Sequence, residues 1–388
     1  MLLGTYYDGV EIHRQEKIIL ARFLTPHRVI STCCVAGGLR DDLDYLYNHQ
    51  SSEPSGHHHS AHSLAVRDPA AYRAAVCRAH GLPDDRCATL GTAANMRNAI
   101  IKEARFRDLV VVAVCTGGVE GNAGRAGDPA AVYEKNGTYE KISGEEPALH
   151  GTINTMLFIN HELTPGAMVR TIMTATEAKT AVLQELAVNS RYSNRLATGT
   201  GTDQIGAAAR LNTGILLTWA GKHSVLGELI GKTVHEAIKG TLALQNFLTP
   251  EGQCSMIRHL ERFGALRESM KTAIAALLDD EKGDLLAAVF NGLERDPLVV
   301  AAVAALVHVR DKLTWGTLPE SCMAEYWANY GSQIAAAVSG NYKLLPVYRE
   351  SLAGKRYGAG DQDFLHLVEH AVALGFHDKW PDEGAGCE

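Results

Sequence analysis

The sequence predicts an α+β fold, a mixed sheet covered by helices, followed by an all-α C-terminal region. Three observations carry that expectation. Short β-branched runs alternate with helix-patterned segments over the first two thirds of the chain. Two long stretches, residues 165–188 and 224–248, repeat apolar residues at helical spacing. After Thr249-Pro250-Glu251-Gly252 the strand-like runs stop, and nearly everything to Leu374 is helix-patterned. The domain boundary is set at that Pro/Gly punctuation, giving one domain over residues 1–249 and a helical domain over 250–388.

Taken in order, VEIHRQ and KIILARFL read as strands, with HRVISTCCV following. GGLRDDLDYLYNHQ is expected to start a short helix. SSEPSGHHHSAH is a polar, turn-rich loop. Pro69 to His80 is helix-patterned, and Gly81 is a natural stop. Residues 95–105 are expected to form another helix. DLVVVAVC is a buried strand running into the glycine-rich TGGVEGNAGRAGDP, and GTINTMLFIN is a further strand. The helix over 165–188 has Pro165 in its first turn. LATGTGTDQIGAAA and GILLTWAG read as strands or strand-loop units. The helix over 224–248 lines up Leu226, Ile230, Val234, Ile238 and Leu242.

Composition limits the function classes. The 388 residues are 46% hydrophobic and 21% charged, an ordinary globular balance that can bury a core without disulfides or metals. A formal net charge of -7 argues against nucleic acid as the main partner. The eight cysteines form no CxxC, so buried free thiols in a reducing compartment are expected. The most apolar stretch, residues 297–309, is too short to cross a bilayer, and MLLGTYYDGVEIHRQEK lacks the pattern of an export signal. No membrane association and a cytoplasmic location are the expectation. Homodimerisation is an expectation from general priors alone.

Several segments could carry chemistry. In TGGVEGNAGRAGDP, glycines after a strand let backbone N–H groups approach a ligand, with Glu120, Asn122 and Asp128 as polar contacts. No GK[ST] follows, so it is not a Walker loop, and its spacing is wrong for a dinucleotide fingerprint. On the helix containing TATEAKTAVLQEL, Lys179 falls within an apolar stripe with Ile172, Thr176, Val182, Leu183 and Leu186. Such a lysine needs a carboxylate partner, Asp203 or Glu120, or serves as a hydrogen-bond donor to substrate, or snorkels out. Glu177 lies on a different side of that helix. In ATGTGTDQIG, Thr200 or Thr202 could be a nucleophile and Asp203 a general base, while the same residues are ordinary turn formers. Lys222 and His223 precede a helix N-terminus, and His223 is the first choice for proton transfer near neutral pH. The histidines at 57, 58, 59 and 62, with His49 upstream, suggest a metal. Three adjacent imidazoles do not readily face one ion, and a solvated or lid-like loop is the favoured reading.

As a set, VISTCCVAGGLRDDLDYLYNHQ, VVVAVCTGGVEGNAGRAGDP, GTINTMLFIN, ATEAKTAV, ATGTGTDQIG and AGKHSVLGELIGKTVHEAI resemble the adenosylcobinamide amidohydrolase family. They stand in the family's order over roughly residues 10 to 248. The resemblance implies a hydrolase acting on a non-peptide amide in cobalamin salvage. It would cut the bond joining the aminopropanol arm to the corrin ring, giving adenosylcobyric acid. Its partner would be a small-molecule corrinoid, whose cobalt belongs to the substrate. No cofactor is required by the sequence, and a metal held by His57, His59 and His62 is disfavoured.

The residues the resemblance carries over are Glu120, Asn122, Asn154, Glu177, Lys179, Thr202, Asp203, Lys222 and His223. Gly37 and Gly38 join them as substrate contacts, although Cys33-Cys34-Val35-Ala36 stands where a more polar lead-in, often asparagine, is expected before the glycine pair. The helical region after residue 250 is not part of the compact family core. The working mechanism is direct water attack. Asp203 or Glu120 would activate the water, Lys179 and loop N–H groups would hold the oxyanion, and His223 would protonate the leaving nitrogen. A Thr202 acyl-enzyme is the alternative. Two other functions compete: a corrinoid-binding or tetrapyrrole-binding protein without hydrolysis, and an amidohydrolase of this scaffold with a different substrate.

Overall fold

Alternation along a single strand explains the layering of the first half of the molecule. All eight residues of LVVVAVCT are buried, yet they serve two different cores. Val111, Ala113 and Cys115 face one core, and Val110, Val112 and Val114 face another. A strand buried on both faces reads as a continuous apolar run, and that is how this one is written.

The computed structural model describes residues 1–51, 64–65, 67–142 and 151–380. It divides into two compact units, Met1–Leu248 and Thr249–Glu388. In the first unit a five-stranded sheet has the order β1-β2-β3-β6-β7. Its strands are β1 (Leu2–Tyr6), β2 (Val10–Gln15), β3 (Ile18–Phe23), β6 (Tyr45–Gln50) and β7 (Cys87–Thr92). A six-stranded sheet has the order β5-β4-β16-β13-β9-β8. Its strands are β4 (His27–Ser31), β5 (Gly38–Arg40), β8 (Ile100–Phe106), β9 (Leu109–Thr116), β13 (Asn154–Ile159) and β16 (Gln204–Arg210). Three small pairs complete the strands: β10 (Ala123–Gly124) with β15 (Gly199–Thr200), β11 (Val132–Lys135) with β12 (Thr138–Lys141), and β14 (Glu162–Leu163) with β17 (Leu216–Leu217).

The layers follow from which side chains meet. Helix α1 (Pro69–His80) sets Tyr72, Val76 and Cys77 against Ile18, Leu20 and Tyr47 on the outer face of the five-stranded sheet. That sheet packs its other face, through Ile12, Ile19, Leu46 and Leu90, on Val112, Met156 and Phe158 of the six-stranded sheet. The far face of the six-stranded sheet is covered by α2 (Pro165–Glu185) and α3 (Val225–Asn246), through Val182, Leu183, Ile230 and Val234. The order is helix, sheet, sheet, helices. Both sheets are mixed, since only β6–β7 and β13–β16 are parallel pairs within them. Each parallel pair is joined through a helix, as such pairs require.

Caps fix the helix ends. Thr164 caps α2 ahead of Pro165, and Ser224 caps α3 by accepting from the Gly227 N–H at 3.2 Å. Gly81 ends α1 in the left-handed conformation at φ 66°.

Two sequence expectations fail. Residues 95–105 form a short turn and then β8, not a helix. The charged KEARF run favours a helix locally, but pairing with the apolar β9 overrides it. GGLRDDLDYLYNHQ gives β5 and β6 rather than a helix. Its apolar residues alternate, with Leu46 on the inter-sheet core and Tyr47 on the α1 side.

The second unit is helical among its described residues. Its helices are α4 (Pro250–Gln253), α5 (Met256–Leu260), α6 (Arg267–Ala275), α7 (Asp280–Glu294), α8 (Pro297–Thr314), α9 (Met323–Ser339), α10 (Leu345–Ala353) and α11 (Asp361–Lys379). Helices α5 to α11 share one core around Phe290, Leu306, Trp327, Phe364 and Phe376. Inside it, Arg262 pairs with Asp311 at 2.6 Å, and Arg310 lies over the Phe263 ring at 4.1 Å. No helix among the described residues is long and apolar enough to cross a membrane.

Candidate functional site

Register gathers distant loops at one end of the six-stranded sheet. Asn154, which opens β13, lies opposite Thr116 at the end of β9 and Gln204 at the start of β16. The glycine-rich loop after β9, the approach to β13 and the GTGTD segment before β16 therefore share that end. Ser31 closes β4 opposite Gly206, so the turn over residues 32–38 joins them.

Asp203 is the hub. Its Oδ2 accepts from Lys179 Nζ and from the Thr200 N–H at 3.0 Å. Its Oδ1 accepts from Thr200 Oγ1 at 2.6 Å and from the Ile153 N–H at 2.8 Å. Two donors on each oxygen fill the four acceptor positions of a carboxylate. The Lys179 and Asp203 side chains are only 11% and 10% exposed. A Cβ on Gly199 would lie 2.6 Å from Asp203 Oδ2 and 2.8 Å from Lys179 Nζ, so a side chain there would push the pair apart. The lysine of the apolar stripe thus has Asp203 as its partner.

A second cluster surrounds Thr202, which is exposed. Its Oγ1 lies 2.6 Å from Thr152 Oγ1, 3.1 Å from the Gly151 carbonyl oxygen and 3.4 Å from Asn122 Nδ2. Asn122 is buried. Its Nδ2 also donates to the Gly151 carbonyl at 3.3 Å, and its Oδ1 accepts from the Tyr192 hydroxyl at 2.8 Å. The β10–β15 pair clamps the glycine loop to the GTGTD segment and holds these groups together. Gly151 has φ +127°, and a Cβ there would lie 2.9 Å from the Gly118 carbonyl oxygen.

Asn154 lies between the two sheets. It is 1% exposed. Its Nδ2 donates to Asn48 Oδ1 at 2.8 Å and to the Gly91 carbonyl at 2.9 Å, and its Oδ1 accepts from the Gln204 N–H at 3.2 Å. Asn48 in turn donates to Thr116 Oγ1 at 2.8 Å, and Gln204 Oε1 accepts from the Gly91 N–H at 2.8 Å. These bonds clasp the two sheets together at the site end.

The other expected residues lie further out. Glu120 is exposed in the glycine loop, two residues before Asn122, with its carbonyl held by Arg191 Nε at 2.7 Å. Gly37 and Gly38 form the tight return between β4 and β5. Gly38 has φ +86°, and a Cβ on Gly37 would meet the Cys33 carbonyl oxygen at 2.3 Å. The exposed Cys34 there has its Sγ 3.9 Å from Gln204 Nε2.

Glu177 and Lys179 point about 200° apart around α2. Glu177 forms an exposed pair with Lys222 at 2.7 Å, and Lys222 holds its carboxyl below the usual range. Together with Glu228, Lys232 and His235 they line an open groove of about 530 Å³ between α2 and α3. His223 is exposed in the turn before α3. Among the described residues, no hydrogen bond or ion pair joins Glu177, Lys222 or His223 to the Asp203 and Thr202 clusters.

His57, His58, His59 and His62 lie outside the described residues. His49 is buried under α1, with Nδ1 bonded to the Tyr72 hydroxyl, and burial pushes its pKa down to about 4. No group of three or more metal-binding side chains stands together among the described residues.

Tyr192 and Thr152 were invisible as site residues in the sequence. Tyr192 sits in the polar run SRYSNR, with no periodicity or glycine neighbours to single it out. Thr152 adjoins GTIN, and only the meeting of that segment with GTGTD gives its hydroxyl a partner.

The family model described as adenosylcobinamide amidohydrolase matches residues 3–250. The uncharacterized protein MJ1613 of Methanocaldococcus jannaschii is 33% identical over 237 residues, covering 60% of this chain and 88% of that protein. The crystal structure of the PH0078 protein from Pyrococcus horikoshii OT3 is 9% identical, with a TM-score of 0.28. The match covers 60% of this chain and 83% of that one.

Proposed function

The chain belongs to the adenosylcobinamide amidohydrolase family, and from that premise we propose that it hydrolyses the amide joining the aminopropanol arm to the corrin ring of adenosylcobinamide or a related corrinoid. The products are the corrin carboxylic acid and the free amine, and the role is corrinoid salvage. One observation supports this reading above the rest. Asn122, Thr152, Lys179, Thr202 and Asp203 are spread over some eighty residues of sequence and meet in one hydrogen-bonded network, because the Thr202 N–H donates to Thr200 Oγ1 at 3.4 Å and so joins the Asp203 and Thr202 clusters. The cluster opens to solvent through Thr202, which suits a substrate too large to be enclosed.

The chemistry is direct attack by water. Asp203 is a poor general base, because all four of its acceptor positions are taken and one partner is an ammonium. Its work is to fix the Thr200–Thr202 turn and the Ile153 backbone. Glu120 carries the available carboxylate of the glycine loop. In this reading it takes a proton from water as the C–O bond forms, then passes it to the nitrogen as the C–N bond breaks. A corrinoid brings its own cobalt as part of the substrate, and no step here runs through it.

A Thr202 acyl-enzyme is the second reading, favoured by the 2.6 Å contact between the Thr152 and Thr202 hydroxyls. Against it, no His, Lys or carboxylate contacts Thr202 Oγ1 among the described residues, so nothing there would accept its proton.

The test is turnover of adenosylcobinamide, a complete corrinoid and a simple aliphatic amide, with and without chelator. Release of the corrin acid from either corrinoid, with no release from the simple amide, is expected. Binding of corrinoids without cleavage would favour a carrier. Cleavage of the simple amide alone would favour a different substrate.

A further inference from the structure

Lys179 is committed to Asp203, so the tetrahedral oxyanion needs another donor. We propose that the Thr202 hydroxyl is that donor, and that Tyr192 is a positioning residue that aims it through Asn122. This deepens the proposed amide hydrolysis and rests on it.

Thr202 is the exposed member of its cluster, so a substrate amide oxygen can reach it. The oxygen of its hydroxyl accepts from Asn122 Nδ2 at 3.4 Å and lies 2.6 Å from Thr152 Oγ1. With the Thr152 proton on that contact, Thr202 Oγ1 receives two hydrogen bonds and its own O–H points to the Gly151 carbonyl at 3.1 Å. Accepting two bonds polarises a hydroxyl and makes it a stronger donor. When the substrate arrives, rotation about the Cβ–Oγ1 bond swings that proton from the Gly151 carbonyl to the amide oxygen. The proton remains on Thr202 throughout, so no base is required.

The arrangement depends on which way the Asn122 carboxamide faces. If its oxygen and nitrogen were exchanged, Oδ1 would confront the Gly151 carbonyl and Thr202 would lose a donor. The Gly151 carbonyl, which can only accept, sets this orientation, and the Tyr192 hydroxyl holds it by donating to Oδ1 at 2.8 Å, the shortest bond of the Asn122 carboxamide among the described residues. Tyr192 is anchored in turn. Its N–H donates to Ser190 Oγ at 3.0 Å, and Ser190 Oγ donates to Asp128 Oδ2 at 2.6 Å. Two motif glycines make the room. A Cβ on Gly124 would lie 3.1 Å from the Tyr192 ring, and one on Gly201 would lie 3.3 Å from Asn122 Oδ1.

The test is a double-mutant cycle on the full chain with adenosylcobinamide as substrate. Thr202→Val is expected to lower kcat about a hundredfold, the usual cost of one oxyanion donor, while Thr202→Ser keeps most of it. Tyr192→Phe is expected to lower kcat about tenfold with KM changed less than twofold. The double variant should be no slower than Thr202→Val alone, because Tyr192 acts only through Thr202. Multiplying losses, or full activity in Tyr192→Phe, would overturn the positioning role. Equal loss in the Ser and Val variants would overturn the donor role. A second readout needs no substrate: with ¹⁵N-asparagine labelling, the Asn122 carboxamide signal, assigned by its absence in Asn122→Asp, should shift in Tyr192→Phe. Wild-type protein that cleaves no corrinoid sinks the hydrolase reading and the donor role together, while the carboxamide signal still decides whether Tyr192 holds Asn122.

Discussion

At the scale of single residues, the difference between Glu120, Asp203 and His223 is one of occupancy and place. Asp203 is saturated by four donors, which in the proposed reaction leaves it a positioning role. His223 is exposed ahead of α3, and its neighbour Lys222 pairs with Glu177, which points about 200° away from Lys179 around α2. Glu120→Gln is therefore expected to lower kcat by about a hundredfold or more, in the range for losing a general base. His223→Ala should keep at least half of the wild-type rate, and comparing the two in one corrinoid assay checks the assignment. The inward setting of Lys179 was legible in the sequence, because helical periodicity places it in an apolar stripe. Its choice of Asp203 over Glu120 was not, since that depends on the β10–β15 pairing that brings the turn under α2. Tyr192 was not legible for the same reason.

At the scale of elements, runs whose own residues carry the burial pattern were readable and runs decided by a partner strand were not. Helix α1 matches its expected limits, and β9 stands where its apolar run lies. By contrast β8 is an edge strand whose own residues favour a helix, and only β9 beside it settles the matter. Asn154, expected to touch substrate, spends its carboxamide on Asn48, Gly91 and Gln204. Asn154→Ala leaves those buried groups unpaired and should destabilise the first unit by about 2 kcal/mol. A lower thermal midpoint, with KM for adenosylcobinamide little changed at 25 °C, is the expected result. A large rise in KM with unaltered stability would return Asn154 to substrate binding.

At the scale of the whole molecule, the family match over residues 3–250 falls almost wholly on the first unit, and the helical second unit lies outside it. The fold class was legible because the change from mixed patterning to uniform helical patterning follows the Pro/Gly punctuation. The layering was not, because a run such as β9 shows that both of its faces are buried without naming what covers each. The proposed activity of the first unit is hydrolysis of a corrinoid amide by direct attack of water. The most direct measurement is a single turnover of adenosylcobinamide in ¹⁸O-labelled water, with mass spectrometry of both the corrin product and the enzyme. One ¹⁸O in the new corrin carboxylate and no mass added to any enzyme peptide are predicted. An acylated peptide containing Thr202, or no new carboxylate at all, would contradict the account.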